Sequence, residues 1–243
     1  MNNSPLPKIK RYSKKDGHSY SFGVFPTVDL INKKREHILQ VLFHPGLKDT
    51  DGVSDLKNLC AKYQIPALYS IAAIEKIAKK ENTYAVGVFK KYDVPIRKDQ
   101  NHVVLVNPSN MGNMGTIIRN MVGFNFYDLA IIGPGADIFD PKVVRSSMGA
   151  FFRIRFQYFE SIDEYTSVHK NNIYPFMLDG DKELLLTKFK KPFSMVFGNE
   201  GEGLPAYYKK LGQSVYIKHS TKIDSLNLAT SVGVGLYIAF DRR

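Results

Sequence analysis

The chain has 243 residues, 44% of them apolar and 23% charged, which suffices for one large domain or two modest ones and excludes wholesale disorder. Its formal net charge is +11, unevenly spread: residues 1–100 carry 18 basic and 10 acidic side chains, residues 101–243 carry 16 and 13. The single cysteine, Cys60, excludes an intrachain disulfide and a thiolate-held structural zinc, and it fits a reducing, cytoplasmic setting.

Residues 1–16 set Lys8, Lys10, Arg11, Lys14 and Lys15 among prolines and polar residues. This reads as a flexible basic arm that either tracks a phosphate backbone or serves only solubility. It has no apolar stretch of the kind a signal peptide carries. Residues 17–95 read as a compact α/β unit. A helix is expected over 31–40, turning extended in "HILQVLF" before Pro45-Gly46. A second helix has Val53, Leu56, Leu59, Cys60 and Tyr63 on one stripe, with Ser54 as its N-cap. "PALYS" is a short strand, "IAAIEKIAKK" an amphipathic helix and "TYAVGVFKKY" a strand. "DVPIRKDQN" (93–101) is polar and carries a proline, so a linker is placed over 96–101.

From residue 102 onward, six apolar runs read as strands: "HVVLV", "DLAIIG", "FFRIRF", "IYPFML", "FSMVF" and "SVYIK". Helical or loop stretches separate them, which predicts a mostly parallel sheet with covered faces. Ligands of such sheets sit beyond the carboxyl ends of the strands. Asn107, Gly133-Pro134-Gly135 and the stretch from Gly198 fall there. The last apolar run, 228–240, is too short to span a bilayer and contains Thr230 and Ser231, so a soluble protein is expected.

Three stretches carry candidate chemistry. In "NPSNMGNMGTIIRNMVGF" (107–124), Met114, Ile117, Ile118, Met121 and Val122 share a helix face. Asn113 stands at the expected N-cap, and Arg119 points off the stripe. In "FGNEGEGL" (197–204), three glycines either let a ligand approach the main chain or make a tight turn. Glu200 and Glu202 disfavour phosphate there and suit a neutral or cationic ligand. In "YIKHSTKIDSLNLATSVGVG" (216–235) a strand, a polar loop and a helix follow in order, with Asp224 or Ser225 as cap and small residues along the helix.

Taken jointly, N-x-G-T-I-I-R, G-N-E-G-E-G-L and S-L-N at a helix start resemble the three motifs of the SpoU (TrmH-type) RNA 2′-O-methyltransferases of the SPOUT superfamily. The resemblance covers residues 102–243, and residues 17–95 resemble, more weakly, the small substrate-binding domain that precedes it in one branch of the family. It implies an α/β protein in which an RNA-binding domain precedes a mostly parallel catalytic domain with a C-terminal trefoil knot, and a homodimer formed through that domain. It implies S-adenosylmethionine as cofactor, rRNA or tRNA as substrate, and neither metal nor membrane. By motif, Arg119, Asn113, Glu200, Ser225 and Asn227 would be catalytic. Phe197, Gly198, Asn199, Gly203, Ile217 and Leu226 would hold the cofactor. Asn110 and Asn113 both fit the first motif, and spacing to Arg119 selects Asn113; Lys218 stands where the third motif usually has proline. Arginine keeps its proton at physiological pH, so Arg119 is expected to orient the nucleotide and stabilise alkoxide charge rather than act as base. Two alternatives are a non-catalytic RNA-binding or ribosome-assembly protein on this scaffold, and an RNA base methyltransferase.

Overall fold

The computed structural model describes residues 6–78 and 83–241. The chain divides into two compact units, Met1–Tyr92 with Asp137–Phe152, and Asp93–Ala136 with Arg153–Arg243.

The first unit contains β1 (His18–Phe22), α1 (Val24–Lys34), a 3-10 turn (Arg35–His37), β2 (Ile38–Phe43), α2 (Asp51–Lys62), β3 (Ala67–Tyr69), α3 (Ile71–Ile77) and β4 (Ala85–Lys90). Its sheet runs β1-β4-β2-β3, with β4 antiparallel to both neighbours and β3 parallel to β2. The two-residue period of a strand sends alternate side chains to opposite faces. Val41 and Phe43 therefore join Ile31, Leu56 and Cys60 beneath α1 and α2, while Leu42, Val86 and Val88 join Ile74 and Ile77 of α3.

Three sequence expectations shift here. The helix expected over 31–40 begins at Val24 and ends at Lys34, because Ile38–Phe43 is claimed by pairing with β4. The N-cap of α2 is Thr50, without a side-chain bond, and not Ser54. The basic arm is anchored where it is described: Ile9 and Tyr12 pack on the α3 side of the core, Tyr12 bonds Asp137, and Lys10 pairs with Asp16 at 2.7 Å. Residues 1–5 of the arm, Lys79 and Lys80 of the expected third helix, and Asn82 lie outside the described residues.

The second unit opens with β5 (His102–Val106), α4 (Met111–Gly123) and β6 (Asp128–Ile132). The chain then contributes α5 (Pro141–Ser146) and a 3-10 turn (Ala150–Arg153) to the first unit before returning as β7 (Arg155–Phe159). The strand expected over "FFRIRF" is thus split, its first half a turn that buries Phe151 and Phe152 against Phe89. With Phe139, these rings draw 137–152 out of the second unit, where a division near residue 95 would leave them. Fully burying one such side chain is worth about 1.5–3 kcal/mol.

The rest of the chain forms α6 (Ile162–Val168), β8 (Asn172–Phe176), β9 (Lys182–Glu183), β10 (Phe193–Phe197), β11 (Val215–Tyr216) and α7 (Leu228–Asp241). Together they complete a seven-stranded, wholly parallel sheet in the order β7-β6-β5-β10-β8-β11-β9. Every residue of β5, β6 and β10 is buried, as their uninterrupted apolar runs require for strands covered on both faces.

The expected linker is packed. Ile96 is buried, Val94 bridges to Phe156, and Arg97 grips the buried Asp128 through its backbone N–H at 2.9 Å and its guanidinium at 2.6 Å. Among the described residues no helix is long and apolar enough to cross a membrane.

Candidate active site

In the sheet β10 lies between β5 and β8, so the loops leaving the carboxyl ends of these strands converge. With the loop before α7 they enclose a cavity of about 750 Å³. Ser109 and Asn113 reach it from the first motif, Phe197 to Leu204 from the second, and Ser225, Leu226 and Asn227 from the third.

Glu200 ties the first two segments together. One carboxylate oxygen accepts from the Ser109 N–H at 3.2 Å and its hydroxyl at 2.9 Å; the other accepts from the Asn110 N–H and the Asn113 side-chain amide, each at 3.2 Å. Burial alone would raise the Glu200 carboxyl. Its own backbone N–H, both Ser109 donors and the Asn113 amide outweigh that effect and hold it below its ordinary value.

Asn113 then links to the third segment. Its side-chain oxygen accepts from the Asn227 amide at 3.2 Å, and the Asn227 oxygen accepts from the N–H groups of Ala229 at 2.9 Å and Thr230 at 3.4 Å. A relay of amides thus runs from the amino end of α7, which carries partial positive charge, through Asn227 and Asn113 to the carboxylate of Glu200. Ser225 lines the cavity outside this relay.

Two expected caps are corrected. The N-cap of α4 is Asn110, whose oxygen accepts the Asn113 N–H at 3.0 Å. Asn113 lies in the first helical turn, which frees its side chain to bridge. At α7 the capping side chain is Asn227, not Asp224 or Ser225.

The floor of the cavity is main chain. A Cβ on Gly198 would fall inside the van der Waals shells of Gly203 C and O and of Leu204 N, so only glycine fits there. Asn199 braces the loop, donating to the Asn107 carbonyl at 2.7 Å and accepting from the Gly201 N–H at 2.8 Å. All six residues assigned to the cofactor line this space: Phe197, Gly198, Asn199, Gly203, Ile217 and Leu226. Small residues on α7 let it lie close by, Gly235 against Phe176 and Phe197.

The charge of the lining is informative. It includes Asp179, Glu200 and Glu202, with neither lysine nor arginine among the described lining residues. Asp179 is paired with Lys209 at 2.7 Å, and among the described residues Glu200 and Glu202 have no ion pair. His219 was not singled out by its motif. It enters the lining with its ring bonded to the Ile217 carbonyl at 2.8 Å, and only tertiary structure reveals that place.

Of the five expected catalytic residues, four line the cavity and Arg119 does not. Six residues beyond Asn113 on one helix, it is displaced about 9 Å along the axis and about 240° around it, and it is exposed.

Comparison with known proteins agrees with this architecture. The sequence model of the SpoU rRNA Methylase family matches residues 100–237. A 23S rRNA (uridine(2479)-2′-O)-methyltransferase of Streptomyces viridochromogenes is 30% identical over 159 residues, covering 62% of this chain and 55% of that protein. The 23S rRNA (guanosine(2553)-2′-O)-methyltransferase RlmP of Bacillus subtilis is 28% identical over 131 residues, 52% of each. The aligned stretch spans about half the length of these relatives. The crystal structure of the SpoU methyltransferase AviRb from S. viridochromogenes, in complex with AdoMet, superposes with a TM-score of 0.82 at 22% identity, covering 93% of this chain and 91% of that one. An AdoMet-bound rRNA methyltransferase from Sinorhizobium meliloti gives 0.77 at 22% identity, covering 92% and 87%. The mixed α/β fold with a large parallel sheet is therefore that of SpoU methyltransferase structures, and with its family model matching more than half of the sequence, this chain belongs to the SpoU rRNA methylase family.

Proposed function

We propose that the protein transfers a methyl group from S-adenosylmethionine to a ribose 2′-hydroxyl of RNA, ribosomal RNA rather than transfer RNA, in the cytoplasm and as a homodimer. The observation that carries this reading is the convergence of three motifs, far apart in sequence, on one cavity through the Glu200–Asn113–Asn227 relay. The names of the two 23S rRNA relatives support ribosomal RNA and the ribose hydroxyl.

The cavity suits the cofactor. Its volume lies within the usual range for small-molecule sites, its floor is bare main chain at Gly198 and Gly203, and its charge favours a cation. Phe197, Gly198, Asn199, Gly203, Ile217 and Leu226 would hold S-adenosylmethionine, which supplies an electrophilic methyl on a positively charged sulfonium.

In this reading Glu200 holds the first-motif loop against the second, and Asn113 and Asn227 set the entrance of α7 relative to both. Ser225 presents its hydroxyl toward the ribose. Arg119 orients the target nucleotide and stabilises charge developing on the 2′-oxygen, while a substrate phosphate or water takes the proton. Because Arg119 lies outside the cavity of its own chain, the homodimer is the means by which it serves a site. Exposed Val234, Tyr237 and Phe240 on α7 form an apolar face for that association. The C-terminal trefoil knot belongs to the same proposal, supported by a sheet in which β10 lies between β5 and β8. So do the roles of the two units, RNA binding in the first and catalysis in the second.

The direct test is transfer of labelled methyl to unmodified ribosomal RNA, with nucleoside analysis of the product. A 2′-O-methyl nucleoside is the expected result. A methylated base would mean the base enzyme, and absence of both transfer and cofactor binding would mean the non-catalytic binder.

Glu200→Gln should lower kcat/KM about 10–100-fold, the equivalent of about 1.4–2.8 kcal/mol, as hydrogen bonds to a charged acceptor are weakened. The sign of the pH dependence follows from the depressed folded value. The ionised clamp is present above the unfolded carboxylate value and is lost only as pH falls through the lower folded one. Cofactor affinity measured by calorimetry should therefore hold through mildly acidic pH and decline below the ordinary carboxylate range. The Gln variant should show no such decline.

A further inference from the structure

Five basic residues of the first unit, Lys33, Lys34, Arg35, Lys62 and Lys90, gather at one end of its sheet. The strand register sets that end: His18 at the start of β1 faces Lys90 at the end of β4, and Phe89 faces Ile38 at the start of β2. The helices run back against the strands, so α1 and α2 finish there as well. Lys33 and Lys34 close α1, Arg35 opens the 3-10 turn, Lys62 closes α2 and Lys90 closes β4. Glu36 stands among them, 3.4 Å from the His37 ring, and Asp16, just before β1, is paired with Lys10 at 2.7 Å. At the opposite end, around the start of α2, Lys48 and Lys57 are outnumbered by Asp49, Asp51 and Asp55, with Lys57 paired to Asp49.

This end is also ordered. The Arg35 guanidinium lies 4.3 Å from the Tyr63 ring centroid, and the Lys62 ammonium lies 5.3 Å from the same ring. Lys34 sits 5.0 Å over Tyr92, on which His37 stacks at 4.6 Å. Burial, and after it the charges of Lys34 and Lys90 against that of Glu36, hold His37 below its ordinary value, so both lysines bear on the same spot. Lys33, Arg35, Lys62 and Lys90 are exposed, and among the described residues none of the four forms an ion pair. Complementing a helix dipole explains a lysine at the end of α1 and one at the end of α2. It does not explain Arg35 or Lys90. A guanidinium placed over an aromatic ring still has N–H groups to offer a bidentate acceptor such as phosphate.

We propose that this end of the first unit binds the phosphate backbone of the RNA substrate, with Arg35 as the oriented contact and Lys33, Lys62 and Lys90 as flanking charges. The assignment rests on the reading of the protein as an RNA methyltransferase. It predicts sequence-independent binding that weakens steeply with salt, since each phosphate contact contributes about 0.7–0.9 to the slope of log affinity against log salt concentration.

The test compares the full chain with a Lys33→Gln/Arg35→Gln/Lys62→Gln/Lys90→Gln variant, using an unmodified transcript of 23S ribosomal RNA as probe. Binding is followed from about 50 to 200 mM salt, the range in which phosphate contacts dominate. The expected result is a slope shallower by about 1–3 and an affinity at least about tenfold lower at the low-salt end. S-adenosylmethionine affinity and kcat at saturating RNA should be unchanged, and Lys48→Gln/Lys57→Gln, at the opposite end, should leave the slope at its parental value. If the fourfold variant does not fold by circular dichroism, Arg35→Gln alone should lower the slope by about 1, with Arg35→Lys between it and the parent. A parent that binds and methylates the transcript beside a folded variant of equal affinity and slope overturns this assignment and leaves the methyltransferase reading intact. A parent that neither binds nor methylates it overturns both.

Discussion

Arg119→Ala should reduce kcat for methyl transfer by at least about 10²–10³-fold, the usual cost of removing one group that stabilises developing oxyanion charge. Calorimetric binding of S-adenosylmethionine should stay at the parental value. The separation follows from geometry. Arg119 is exposed on α4 and does not line the cavity of its own chain, whereas Asn113, Glu200, Ser225 and Asn227 do. In the proposed reading Arg119, remote from the cofactor site, acts on the RNA, and in the proposed homodimer it does so beside the partner's cavity. Mixing Arg119→Ala with a chain whose cavity is disabled should then restore activity. One mixed dimer in two, with one intact composite site in two, gives about a quarter of the parental rate. Turnover by the single variant equal to that of the parent would remove Arg119 from the mechanism, and no recovery on mixing would place it in cis.

Gly198→Ala is the variant to disable the cavity. The new methyl group meets backbone atoms of Gly203 and Leu204 rather than a side chain that can swing away. Those atoms are held in turn by the bond from the Gly203 N–H to the Asn199 carbonyl at 3.0 Å. Accommodating it costs about 1–3 kcal/mol, most of it in the loop that forms the cavity floor, so S-adenosylmethionine affinity should fall about 10–100-fold. RNA binding at the basic end of the first unit should persist, since its residues belong to a different compact unit from the cavity loop. Cofactor affinity at the parental level would show that the second-motif loop is not the floor of the binding site.

Much of this molecule was legible in its sequence because the relevant interactions are local. The uninterrupted apolar runs of β5, β6 and β10 can be satisfied only by strands buried on both faces, and they are found there. The stripe of Met114, Ile117, Ile118 and Met121 sits on the buried face of α4. Glycine at 198 was visible as a need for bare backbone, though its collision partners five and six residues onward were not.

The misread positions depend on where a helical turn begins or on what a distant segment offers. Asn110 and Asn113 both suit a cap, and the actual start of α4 decides between them. That choice releases Asn113 to meet Glu200, 87 residues away, and Asn227, 114 away. Phe139, Phe151 and Phe152 announce burial from sequence alone, but hydrophobic burial is non-directional, and only folding reveals that they belong with Phe89 and Tyr92. By itself the sequence determined which segments must be buried and which three carry chemistry, because periodicity and backbone chemistry are written residue by residue. The relay that joins those segments, the gathering of positive charge at one end of the first unit and the absence of Arg119 from its own cavity were decided by tertiary structure. Each depends on strand order and helix direction, which place residues that no local pattern pairs.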